Sequence, residues 1–434
     1  MTMTAPASET IDARLVEARA RYSASHPRAA EIDLDAREVM PGGNTRTVLY
    51  HPPFPIRVAS AHGARIVDVD GHEYVDLLGE YTAGLYGHDN AVIRAALEAA
   101  LARGLSFGAH NADEPRLARA LVERFPALEL VRFTNSGTEA NLMAVSLARA
   151  ATGRSAIAVA VGGYHGGLLY FGGGGSPVNA PYDVVLLPYN DLEASQAALR
   201  ASGQTVAAVL IETTMGSAGC IPGSPEYLRG LQEVAHEVGA LFIVDEVMTS
   251  RLSPSGSSPG LGLEPDLITL GKYLGGGLSF GAFGGRADLM GLFDPTRPTP
   301  LQHAGTFNNN VLTMAAGLAG LTHVLTPEAV DALNARGDRL RESLQQVVAP
   351  YGWTAIGRGS MVCLHPVTGP VTSPADLASA DSGLRELLFL ELLERGWYMA
   401  LRGFMALSLE VSDDDVDGFV SAVGEVLGSW PTSD

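Results

Sequence analysis

One residue type is almost missing from this chain. Among 29 basic residues there is a single lysine, Lys272, and all the others are arginine. A compositional pressure that replaces surface lysine with arginine accounts for the depletion. Under it, a surviving lysine marks a position where arginine cannot serve, and arginine, always protonated, cannot form an imine. Cysteine is nearly as scarce. Cys220 and Cys363 stand far apart and in no Cys-x-x-Cys pair, which excludes a disulfide framework and a metal knuckle and fits a reducing, cytoplasmic compartment. No metal site is read from the sequence. Long apolar runs are absent too: none reaches the ~20 residues of a membrane-spanning helix. Residues 1–9 lack the basic and apolar regions of a secretion signal. Positive charge is in deficit, and a net −19 opposes binding to nucleic acid or an anionic membrane. A small anion feels local arginines instead of that mean field.

At 434 residues the chain exceeds what one small core organises. The pattern predicts a helix over residues 11–24 ended by His26-Pro27, then a breaker-rich irregular stretch over 41–55. Residues 64–76 read as a hairpin around Asp70-Gly71. From residue 90 helices and strands alternate. Helices are expected over 91–103 and 115–125. Strands are expected over 130–133, 156–161, 184–187, 206–211, 241–244 and 266–270, with a long Ala-rich helix ending near Ala151. This alternation predicts an α/β fold, a mostly parallel sheet covered by helices on both faces. Beyond Pro327 the pattern changes to a smaller α+β region. The expected division is 1–78, joining the small domain, 79–327 as the large domain, and 328–434 as the C-terminal small domain.

Three strand ends carry polar residues suited to chemistry. Thr134-Asn135-Ser136-Gly137-Thr138-Glu139-Ala140-Asn141 passes from a strand through small residues into a helix. Backbone N–H groups and hydroxyls converge there, as at anion sites, although an ordinary Ser cap with a Glu139 partner reads the same way. Asp245 ends the apolar run Leu241-Phe242-Ile243-Val244, where open α/β sheets keep their ligands. A carboxylate there can hold a proton on a ring nitrogen, or it can simply pair with an arginine. Lys272 follows Asp266-Leu267-Ile268-Thr269-Leu270-Gly271. A lysine leaving a buried strand is desolvated, which favours the neutral amine that attacks an aldehyde.

Taken together, the order phosphate turn, aspartate, lysine resembles the class III aminotransferases, pyridoxal-phosphate enzymes of fold type I, over nearly the whole chain. The resemblance implies pyridoxal 5′-phosphate as cofactor, with Lys272 as its Schiff-base lysine and Asp245 paired with the ring nitrogen. It implies Ser136, Gly137 and Thr138 on the phosphate, Tyr164 and Val247 on the two ring faces, His165 in support, and Glu212 as an active-site carboxylate. Thr306 would reach the phosphate of a partner subunit, which makes a homodimer the minimal active unit. The family commonly has Glu-Pro where Glu212-Thr213 stands here, Met215 replaces a polar residue, and Met248 stands in place of a frequent glutamine.

Met248 moves the chain toward the glutamate-1-semialdehyde aminomutase branch. Within that branch Asn44-Thr45-Arg46, Glu80-Tyr81-Thr82-Ala83-Gly84, residues 245–251, Thr306-Phe307-Asn308-Asn309-Asn310 and Arg402-Gly403-Phe404 are similar to aromatic β-amino acid aminotransferases. That likeness implies a β-amino acid donor, an α-oxo acid acceptor and ping-pong turnover. Arg46 and Arg402, with Tyr81 and Glu212, are the substrate-binding candidates, because two carboxylates at different distances from the reacting carbon suit two arginines. Two other readings stay open: a glutamate-1-semialdehyde 2,1-aminomutase, and a non-catalytic cofactor-binding protein. The acidic chain and the intact lysine disfavour the last.

Overall fold

The computed structural model describes residues 8–431. They form two units, one made of residues 90–334 with 372–375, the other joining the two ends of the described chain through 8–89, 335–371 and 376–431. These divisions fall at 89/90 and 334/335, where the sequence suggested 78/79 and 327/328. The segment after residue 78 stays with the unit that joins the chain ends because Gly79 packs on the backbone of Ala406 and Gly87 on Glu410.

The 90–334 unit is built on a seven-stranded sheet. In spatial order its strands are Leu130–Thr134, Gly281–Gly285, Leu267–Gly271, Leu241–Asp245, Val206–Glu212, Ala156–Ala160 and Val184–Leu187. The last five run parallel, and Gly281–Gly285 is antiparallel to both of its neighbours. Their apolar runs are continuous because both faces are covered, and every residue of the Val206–Glu212 strand is buried. The helix Gly137–Thr152 covers one face, packing Ala144, Val145, Leu147 and Ala148 with Val159, Leu210, Ile243 and Phe283. Burying one such Val, Leu or Phe stabilises the fold by roughly 1.5–3 kcal/mol.

Two elements differ from the sequence expectation. Gly281–Gly285 is a strand that its composition conceals. A Cβ at Gly281, Gly284 or Gly285 would stand 2.1–2.3 Å from a backbone carbonyl oxygen of a neighbouring strand or turn, so only glycine admits this spacing. Pro27 does not simply end the first helix (Ser8–Ser25). It opens a second one, Pro27–Val39, from its first position, where proline's missing N–H costs nothing.

The other unit holds the predicted hairpin, Arg65–Asp68 against Glu73–Asp76, extended by Val58–His62 on one side and Trp397–Tyr398 on the other. It also holds a three-stranded antiparallel sheet, Thr354–Arg358, Met361–His365 and Phe404–Ala406. The helices Ser382–Leu393 and Asp413–Gly428 belong to this unit, the second opened by a Ser412–Asp415 capping box.

Candidate active site

The parallel strands of the large unit end side by side, with Asp245 directly opposite Glu212 on one neighbour and Thr269 on the other. Their carboxyl ends, with the turn before the helix Gly137–Thr152, line a cavity of about 280 Å3. Ser136, Gly137, Thr138, Tyr164, Glu212, Asp245, Val247 and Lys272 all line it. Sequence reasoning had placed these eight residues on separate segments.

Asp245 is 5% exposed and firmly held. The amide nitrogen of Asn141 donates to its Oδ2 at 2.8 Å and to the His165 carbonyl at 3.1 Å, while the Thr269 hydroxyl donates to Asn141 Oδ1 at 2.7 Å. That last bond fixes which way the Asn141 amide faces. His165 Nδ1 lies 2.8 Å from the same carboxylate oxygen, and since a carboxylate only accepts, Nδ1 carries the proton. Val247 N–H donates to Oδ1 at 3.0 Å. A carboxylate has about four lone-pair positions. Three are used, and Oδ1 retains capacity for a cationic N–H group in the cavity. Glu246, its neighbour in the chain, is turned the other way and accepts from Ser257 N–H, Ser258 N–H and the Ser258 hydroxyl at 2.8, 2.9 and 2.5 Å. It anchors a loop.

Glu212 accepts from the backbone N–H groups of Tyr164 and Gly216, each at 3.1 Å. Burial pushes its carboxyl up to about 7; Asp245 adds to the rise, while His165 and the two amides oppose it. Lys272 is the first residue beyond its strand, half-buried, with φ of 56°. A left-handed non-glycine residue costs about 1–3 kcal/mol and persists where its surroundings hold it.

At the turn, the helix-cap reading of the sequence holds. Ser136 Oγ accepts from Glu139 N–H at 3.2 Å as a helix cap, and Glu139 accepts from the Asn135 N–H at 2.8 Å. The N–H groups of Gly137 and Thr138 have no acceptor within the helix. A Cβ on Gly137 would lie 2.9 Å from Val247 Cγ1, and one on Gly166 2.2 Å from Thr138 Oγ1. The cradle is therefore glycine-lined by necessity. Buried aspartate, lysine and a helix N-terminus around one cavity form a donor set that fits a phosphorylated pyridine aldehyde.

Thr306 is exposed and does not line the cavity. Its neighbour Asn308 is tied to the turn, with its Oδ1 accepting from Asn135 Nδ2 at 2.9 Å. Of the departures, Met248 lines the cavity, whereas Met215 is fully buried outside it and Thr213 bonds Ser257 at 2.7 Å. Asn141 closes the turn motif, and the sequence alone assigns it no role. Its signal is position, one turn into the helix and on the face that carries Gly137.

Arg46, Tyr81 and Arg402 belong to the other unit. Arg402 stacks over Tyr81 at 5.0 Å and over Phe404 at 5.5 Å, and the Tyr81 hydroxyl donates to the Val48 carbonyl at 3.1 Å. Burial raises the Tyr81 phenol above its ordinary range, opposed by Arg402 and Arg46. Arg46 pairs with Glu80, both side chains being about half exposed. Glu80, Tyr81 and Thr82 all have positive φ, an unusual run of three without glycine.

Residues 49–384 match the family Aminotransferase class-III. A β-phenylalanine transaminase of Variovorax paradoxus is 51% identical over 421 residues, 96% of each chain. A glutamate-1-semialdehyde 2,1-aminomutase of Heliobacterium modesticaldum is 36% identical, covering 93% of this chain and 98% of its own. The crystal structure of a β-phenylalanine aminotransferase from Variovorax paradoxus superposes with a TM-score of 0.95 at 49% identity, over 98% of this chain and all of that one. An ω-transaminase from Sphaerobacter thermophilus gives 0.86 at 37%, over 92% of this chain and 97% of its own. The chain belongs to the class III aminotransferases, fold type I transaminases that depend on pyridoxal phosphate and move an amino group from a donor to an oxo acid.

Proposed function

We propose that this aminotransferase takes its amino group from an aromatic β-amino acid of the β-phenylalanine type and delivers it to 2-oxoglutarate or pyruvate. The observation that carries the reading is the 51% identity to a β-phenylalanine transaminase along almost the whole of both chains, joined to the Arg402–Tyr81–Phe404 stack. Pyridoxal phosphate, when bound, supplies an electron sink for charge developing at the amine-bearing carbon. Lys272 Nζ would serve as the acid–base group that removes and returns the proton at that carbon. Asp245 holds the proton on the ring nitrogen, itself oriented by Asn141, His165 and the Val247 N–H. Ser136, Gly137 and Thr138 bind the phosphate, Tyr164 and Val247 enclose the ring, and Glu212 stands beside Tyr164 as a carboxyl group that titrates near neutrality.

Arg46 and Arg402 take the carboxylates of donor and acceptor by bidentate pairing. The exposed Arg46–Glu80 pair is weak enough to be exchanged for a substrate carboxylate. Thr306 serves the phosphate of a partner, so that a homodimer working in a reducing cytoplasm is the active form. Turnover is ping-pong, the first product leaving before the second substrate binds.

Aminomutases at 36% identity make glutamate-1-semialdehyde isomerisation the second reading. Incubating the enzyme with β-phenylalanine and each acceptor separates the two. The proposal expects an acetophenone-type product together with glutamate or alanine. Turnover of glutamate-1-semialdehyde without any second substrate, and none of β-phenylalanine, would overturn it.

A further inference from the structure

The geometry points to a binding site for a divalent transition-metal ion of the zinc class, formed by His26, Asp68 and His72 in the unit that joins the chain ends. One donor atom from each lies within 4.8 Å of the other two. His26 Nε2 is 3.3 Å and His72 Nδ1 3.0 Å from Asp68 Oδ2. Two ligands each roughly 2.1 Å from an ion, at angles of roughly 90–110°, stand about 3.0–3.4 Å apart. The two nitrogen–oxygen separations already suit a shared ion.

The arrangement of protons gives the stronger argument. His26 Nδ1 lies 2.8 Å from the Tyr22 carbonyl, which only accepts, so Nδ1 carries a proton. In the neutral ring Nε2 is then a lone pair, and it faces a carboxylate oxygen in a buried position. The Tyr74 hydroxyl, 2.8 Å from Asp68 Oδ2 and 2.9 Å from His26 Nε2, has one proton for two acceptors. Two electron-rich atoms so placed are stabilised by a cation between them. An imidazole whose other nitrogen donates to a backbone carbonyl is the usual arrangement of a metal-binding histidine. A second proton on His26 would also satisfy the pair, and the metal content of the protein tells the two apart.

The carboxylate is aimed before any ion arrives. Asp68 Oδ1 accepts the N–H groups of Asp70 and His72, each at 2.9 Å, and this leaves Oδ2 to the two imidazoles and Tyr74. His72, 40% exposed, provides the way in from solvent. On binding it moves its proton from Nδ1 to Nε2, with no net proton release. Two imidazoles and one carboxylate suit zinc, cobalt or nickel better than magnesium or calcium, and three protein ligands leave a position for water. Such an ion would clip the junction of the first two helices to the hairpin.

The test uses the pyridoxal-phosphate-loaded enzyme, freed of metal by chelator, equilibrated with Zn2+ and passed over a desalting column. Zinc per subunit is then measured by elemental analysis. The proposal expects about one zinc per subunit. It expects that zinc to fall at least ~10-fold in His72→Ala, whose exposed side chain leaves the fold intact, with the cofactor absorbance unchanged. Asp68→Asn should behave likewise. Absence of zinc from the wild type, meaning a cluster filled by protons alone, or zinc retained in both variants, meaning binding elsewhere, would each overturn it.

Discussion

Asp245 and Arg402 sit on different kinds of scaffold. The carboxylate stands at the end of a central parallel strand, 5% exposed, with three donors converging on it from a helix, a loop and its own backbone. The guanidinium sits on a turn between short strands, stacked over Tyr81 and Phe404, and Tyr81 itself lies in a run of left-handed residues. Regular strands fix the first group to within a hydrogen-bond length. The second is held by ring stacking and a strained loop. Chemistry common to a family belongs on the first kind of support, and choice of substrate on the second.

Substitutions at the two regions should therefore differ in size and in kind. Lys272→Ala has the largest expected effect, a loss of kcat of at least ~10^3-fold with β-phenylalanine. No other lysine exists to compensate, and the melting temperature should be retained. Asp245→Asn should lower kcat by about 10^2–10^3-fold for every donor alike. A donor-dependent loss would break the distinction between the regions. Arg46→Ala and Arg402→Ala should instead each cost about 10–100-fold in kcat/KM, mainly through KM, and each for one half-reaction more than the other. Stopped-flow measurement of the separate half-reactions reads this directly.

Smaller effects sharpen how the strand-end region is held. Asn141→Ala leaves the Thr269 hydroxyl without its acceptor and Asp245 short of a donor, and denaturant unfolding should show about 1–3 kcal/mol lost. Glu212 titrates at about 7 in the folded chain against an ordinary 4.5. Between those values the folded protein keeps a proton that the unfolded chain has released. Stability should thus fall as pH rises through that window, by on the order of 1–3 kcal/mol. Glu212→Gln should flatten the profile.

The strand-end region was the legible one. Each of its strands is a largely apolar run followed by a polar residue, so Asp245, Glu212 and Lys272 could be placed on strand ends before their neighbours were known. Gly281–Gly285 escaped because its glycines answer to interstrand spacing, which composition does not display. Asn141 escaped because its value lies in three partners distant along the chain. The run Glu80-Tyr81-Thr82 gave no warning of its backbone, since none of the three favours positive φ. Pro27 misled because a helix breaker and a helix starter are the same residue.

The central claim is that Lys272 alone carries the cofactor. Reducing the holoenzyme with borohydride and mapping the labelled peptide by mass spectrometry tests it directly. The account predicts one pyridoxyl phosphate per subunit, on the peptide containing Lys272, and none in Lys272→Ala. Stoichiometric label on any peptide lacking Lys272, or an unlabelled wild type with bound cofactor, would contradict it.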